Sequence, residues 1–170
     1  DLSHGGGLYE SEIRTIARAR LDAKVHVNLH GYPSHEWTRP LSGYIPHGFA
    51  RWTVPKGFFL ILRHDPAEEP LARTVLSAAL DALADFPELV AQNRRMLDLY
   101  GTYVSGRDFE VHADAIPFAV SATADPGYPV TLITEAPDET VRGEDFRIAH
   151  EGQYRTVMAV ARALSGAGMV

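Results

Sequence analysis

The chain has 170 residues, 45% of them hydrophobic, which suits one domain able to bury a core. A net charge of −6 argues against a phosphate-binding surface, so no nucleic acid partner is expected. The absence of cysteine excludes disulfides, thiolate metal sites and a cysteine nucleophile, leaving His, Asp and Glu as the donors for any metal. No apolar run approaches the roughly 18 residues needed to cross a bilayer. The start shows no basic, then apolar, secretory pattern, which leaves the compartment open with the cytoplasm slightly favoured.

In chain order, Gly5-Gly6-Gly7 lacks the spacing and following lysine of a phosphate loop and reads as a surface segment. From about Glu10 to Asp22, Ile13, Ile16, Ala17 and Leu21 recur at helical spacing, predicting a helix with its apolar stripe on a sheet. Apolar and polar residues then alternate from Val25 to His30. This predicts a strand with Val25, Val27 and Leu29 on one side and His26, Asn28 and His30 on the other, broken at Gly31.

Four prolines (Pro33, Pro40, Pro46, Pro55) among Trp37, Tyr44, Phe49 and Trp52 predict an ordered loop over the sheet edge. Phe58 to Leu62 is a continuous apolar run, the pattern of a strand buried on both faces and hence of helices on both sides of the sheet. Asp65-Pro66 opens a helical region with the stripe Leu71, Val75, Ala78, Ala82 and Phe86. Pro87 restarts a helix carrying Leu89, Val90, Met96, Leu97 and Tyr100, ended by Gly101. Phe109 to His112 and Phe118 to Ala122 are further strand candidates, separated by Ala115-Ile116-Pro117. Asp125-Pro126-Gly127 forms a turn before a strand from Val130 to Thr134. A last helix, about Arg147 to Leu164, is expected to bury Tyr154, Val157, Met158 and Ala161.

Two strand tips carry chemistry. A histidine at the end of a sheet strand sits where open α/β sheets place ligands and metals, and imidazole binds zinc at neutral pH. His30 is that residue. Glu135 follows the strand Val130 to Thr134, and a carboxylate there is costly to bury without a partner. His35 and Glu36 could also fold back towards His30, whereas His26 lies about 13 Å along the strand, too far to share one ion. Arg39 has the guanidinium needed to grip a substrate carboxylate. No serine stands in a Gly-x-Ser-x-Gly setting, which disfavours a serine hydrolase.

The segment Leu29-His30-Gly31-Tyr32 resembles the third-ligand segment of the M14 superfamily of zinc carboxypeptidases, and Tyr128 to Glu135 resembles the strand that delivers their general base. The chain order of the two agrees with that family. The resemblance implies a single domain over residues 1–170 with a three-layer α/β/α fold and a mixed central sheet of the phosphorylase/hydrolase-like kind. It further implies zinc-dependent hydrolysis of peptide or acyl amino acid amide bonds, with His30 as a metal ligand and Glu135 as general base. Tyr32, within the matching segment, and Arg39, on the separate ground of its guanidinium, are the expected substrate-binding residues.

The family's upstream His-x-x-Glu ligand pair is missing, because His64 is followed by glutamate only four positions later, and Asn93-Arg94-Arg95 comes after His30 rather than before it. The chain also begins with Asp1-Leu2-Ser3. The expectation is therefore the C-terminal part of a peptidase-like domain, incomplete and inactive alone, that associates with itself or with a missing N-terminal half. The competing expectation is a noncatalytic module that binds a ligand or partner through the aromatic loop. A third is an acylase of the same superfamily.

Overall fold

The computed structural model describes residues 9–32, 57–103, 109–124, 127–137, 142–166 and 168. Helix α1 (Tyr9–Leu21) leads into strand β1 (Val25–Tyr32), and β2 (Phe59–His64) follows after residue 57. A 3-10 turn (Pro66–Glu68), capped by the Asp65 carboxylate on the Ala67 amide at 2.8 Å, opens α2 (Glu69–Ala84). Then come α3 (Pro87–Tyr103), β3 (Glu110–His112), β4 (Ile116–Ala122), β5 (Val130–Pro137) and α4 (Glu144–Gly166). The fold is α/β, with a mixed sheet of five strands in the order β1-β5-β2-β4-β3. Strand β5 runs parallel to β1 and antiparallel to β2, while β2 is parallel to β4.

Alternation along the strands assigns the two faces. Leu60, Leu62, Ile116, Val130, Leu132 and Ala136, with the half-buried Val25 and Val27, form one core with residues of α2, α3 and α4. Helix α2 supplies Val75, Ala79 and Leu83, α3 supplies Leu89, and α4 supplies Ile148, Ala149 and Val160. Packing of this kind, not local propensity, stabilises most helices in domains. The opposite face carries His26, Asn28, His30 and Tyr32 beside Thr131, Ile133 and Glu135, and then Phe59, Ile61 and Arg63. On β2 Leu60 and Leu62 are buried on the core face, whereas on the other face Phe59 is buried, Ile61 half-buried and Arg63 exposed, so the apolar run is covered on both faces only at its start.

Several expectations need correction. Strand β1 does not break at Gly31: the ladder to β5 continues through Gly31↔Ala136 and Tyr32↔Pro137, because parallel pairing uses the backbone and a glycine keeps its amide and carbonyl. Helix α1 leaves Ile13, Ile16 and Leu21 exposed instead of burying them on the sheet, and Asp22 in the left-handed region (φ 44) ends it. On α2 the buried residues are Ala72, Val75, Ala79, Leu80 and Leu83, a face rotated from the expected stripe so that Val75 is shared with it and Leu71 lies at the margin. Helix α3 runs past Gly101 to Tyr103. Ile116 and Pro117 belong to β4, with Pro117 opposite Val111.

The last helix differs most. Its buried residues are Ile148, Ala149, Gly152, Gln153, Thr156 and Val160, while Tyr154 and Ala161 face solvent. Two polar side chains and a glycine thus occupy a face that apolar periodicity assigns elsewhere. Thr156 satisfies its hydroxyl on the Gly152 carbonyl at 2.9 Å, and Gly152 allows the close approach of Phe58 and Leu89. The helix start is favourable: Glu144 and Asp145 lie in its first turn, where the macrodipole attracts negative charge. Glu144 is held below the usual carboxylate range chiefly by its hydrogen bond from Arg147.

Candidate active site

The C-terminal ends of β1 and β5 and the start of β2 meet at one end of the sheet. His30 lies directly opposite Glu135, and Glu135 directly opposite Phe59, so these three occupy one row on the face away from the main core. His30 Nδ1 is 2.8 Å from Glu135 Oε2. Facing a carboxylate, which accepts, Nδ1 is the donor of this bond, and Nε2 is the ring nitrogen turned away from the carboxylate. The imidazole side chain is 57% exposed and the carboxylate side chain 13%. A sheltered acid therefore orients an exposed base, an arrangement in which the carboxylate fixes both ring orientation and tautomer.

The two residues thus converge across 105 positions of sequence, but by direct contact. A zinc ion bonded to both atoms at about 2.0 to 2.1 Å in tetrahedral geometry would hold them about 3.3 Å apart. The observed spacing is that of a hydrogen bond, and the nitrogen placed to bind an ion is Nε2. Among the described residues no group of three or more His, Asp or Glu side chains is placed to hold a metal. Catalytic zinc takes about three protein ligands. His30 suits one of them, and the remaining donors of such a centre would lie outside the described residues.

The supporting structure comes from three directions. From α4, the Gln153 carboxamide donates to the His30 carbonyl at 3.1 Å and to Thr134 Oγ1 at 3.2 Å. From β1, the Tyr32 hydroxyl accepts from the Gly57 amide at 2.7 Å and donates to the Gly57 carbonyl at 2.8 Å, and its ring lies 5.5 Å from that of Phe59. From α3, Asn93 Oδ1 accepts from the Phe58 amide at 2.9 Å while Nδ2 donates to the Phe58 carbonyl at 2.8 Å. Two side chains thus hold all four backbone polar groups of Gly57 and Phe58, immediately before the strand that packs beside Glu135. Gly57 is required there: its φ is +132, and a Cβ would lie 2.7 Å from Asn93 Oδ1.

Of the residues singled out from sequence, His30 and Glu135 are brought together. Tyr32 is buried, with its hydroxyl engaged on Gly57. Its position is that of a strut rather than of a side chain open to a substrate. Arg39, with His35, Glu36 and the whole proline- and aromatic-rich stretch, lies outside the described residues, as do Gly5 to Gly7, Asp125 and Pro126. His26 stacks on Tyr128 with ring centroids 4.8 Å apart, one strand-length from the pair. Asn93 and Gln153 were missed, since each reads locally as an ordinary polar helix residue. Compared with known proteins, the chain matches no family model, and no curated protein matches it.

Proposed function

We propose that this chain is the C-terminal part of a zinc-dependent hydrolase of the metallocarboxypeptidase kind, acting on peptide or acyl amino acid amides, within a three-layer α/β/α domain. The observation that carries the reading is the His30–Glu135 pair at the C-terminal ends of two parallel strands, 2.8 Å apart and on one face. Ligand and catalytic groups in α/β sheets gather at such ends.

In this reading His30 would be a metal ligand through Nε2. Zinc, when bound, acidifies water and polarises a carbonyl. In the structure Oε2 holds His30 Nδ1 and so keeps Nε2 turned outward. The two ring nitrogens face opposite ways, so as general base the carboxylate would turn from Nδ1 to the water on the Nε2 side, accepting its proton and returning it to the departing amine. Phe59, next to Glu135 on the sheet, contributes apolar surroundings that strengthen such an interaction relative to water. Leu29, 51% exposed on the end strand β1, and the exposed Ile13, Ile16 and Leu21 of α1 support association with the remainder of the domain or with a second copy.

The test uses the protein that carries this chain, supplied with zinc and assayed on a short peptide and an N-acyl amino acid. Glu135→Gln is expected to keep zinc and lose about 10²- to 10⁴-fold in turnover, the range for a general base, whereas His30→Ala is expected to lose zinc. Zinc retained at full stoichiometry by His30→Ala, or unchanged turnover in Glu135→Gln, would overturn the reading. Cleavage of the acyl amino acid alone would narrow it to an acylase.

A further inference from the structure

A buried amide needs a reason. Gln153 is only 9% exposed and lies on the core-facing side of α4, where an apolar residue of similar volume would fill the space without the cost of desolvating a carboxamide. Its nitrogen serves the two strands that carry the candidate pair: one bond goes to the backbone carbonyl of His30 on β1, and the other to the hydroxyl of Thr134, the residue before Glu135 on β5. The fully buried Thr134 in turn donates to the Asn28 carbonyl of β1 at 3.5 Å. One side chain from the helix layer thus ties both strands at the level of the pair, from the opposite side of the sheet.

The hydrophobic pattern of β1 leaves this task undone. Strand register is set where one face is firmly buried, and a slip of one residue moves every side chain to the other face. On the core face of β1, Val25 and Val27 are only half-buried and Leu29 is 51% exposed, and the buried Tyr32, which also anchors the strand through Gly57, lies on the other face beyond His30. A one-residue slip would bring Leu29 or Gly31 opposite Glu135 and turn His30 to the wrong face. The backbone ladder does not resist this, because its bonds are equivalent in either register.

We propose that Gln153 is a positioning residue that pins β1 against β5 so that His30 Nδ1 meets the Glu135 carboxylate. The proposal rests on the reading of His30 and Glu135 as the working pair, but its consequence is visible without metal or substrate. In the zinc-free, 15N-labelled protein, long-range proton–nitrogen spectra report which His30 nitrogen bears the proton, and a hydrogen-bonded Nδ1–H appears as a downfield proton signal.

The wild type is expected to show one fixed Nδ1–H tautomer. Gln153→Met, which keeps the volume and removes both donors, is expected to lose the downfield proton and shift both ring nitrogens to tautomer-averaged positions. Thr134→Val breaks the same link from its other end and should produce the same change, which keeps the test open if Gln153→Met fails to fold. Leu83→Ala, a cavity variant on α2, is expected to lose stability yet keep the signature. A wild-type signature in both Gln153→Met and Thr134→Val, or its equal loss in Leu83→Ala, would overturn the proposal. Failure of the hydrolase assay alone would leave these spectra as expected.

Discussion

Replacing Asn93 by alanine probes the strut beneath the site most directly. Asn93 is 1% exposed, and its carboxamide holds both backbone groups of Phe58, itself fully buried. Truncation leaves one N–H and one C=O inside the protein with no partner. Each unsatisfied buried group costs about 1–3 kcal/mol, so the sum is about 4 kcal/mol. For a chain of this size each kcal/mol moves the melting temperature by about 2–4 °C, giving a fall of about 8–16 °C.

Urea unfolding followed by circular dichroism gives the free energy, and a thermal scan gives the temperature. Asn93→Asp should cost nearly as much, because its second oxygen would face the Phe58 carbonyl in place of a donor. The effect is also coupled to Gly57, whose added Cβ would meet Asn93 Oδ1 at 2.7 Å. Gly57→Ala should therefore cost less in the Asn93→Ala background than in the wild type, with the remainder set by the positive φ. An Asn93→Ala loss below about 1 kcal/mol, or full additivity with Gly57→Ala, would refute the assignment of Asn93 as the holder of this backbone.

Two further substitutions follow from close packing and backbone conformation. Gly152→Ala on α4 would bring a Cβ to 2.8 Å from Leu89 Cδ1 and 3.0 Å from Phe58 Cε2. Overpacking costs about 1–3 kcal/mol and alanine regains about 1 kcal/mol of helix propensity, so a net loss of about 1 kcal/mol is expected by urea unfolding. Ala113 and Asp114, at φ 50 and 54, form the two central residues of a tight turn closed by the Ala115 amide on the His112 carbonyl at 3.0 Å. Left-handed backbone costs a non-glycine residue about 1–2 kcal/mol, against about 0.5–1 kcal/mol of extra glycine entropy. Ala113→Gly should accordingly raise stability by about 0.5–1 kcal/mol, seen as a higher melting temperature.

What was legible in the sequence follows the range of the forces involved. Strands β1, β2 and β5 show in their alternating or continuous apolar runs, because a pleated strand repeats its environment every second residue. Prolines mark the starts of α2 and α3 for an equally local reason. The sequence points to His30 and Glu135 as two strand ends that converge on one ion, whereas their direct contact depends on a parallel ladder between segments 105 positions apart, and nothing in either segment encodes its partner.

Local patterns misled wherever a helix buries something other than its most apolar side. On α4 the exposed Tyr154 and the buried Gln153 are neighbours, and periodicity favours the aromatic residue. The sheet selects the amide instead, because a strand carbonyl and a buried hydroxyl await a donor there, and no apolar side chain can supply one. The same holds for Asn93, whose partner backbone lies 35 residues earlier. Residues of this kind become visible only once the polar groups of a fold are paired one by one. The Gln153 pairings reach the backbone of His30 and the residue before Glu135, and the Asn93 pairings hold the segment that leads into β2 beside them.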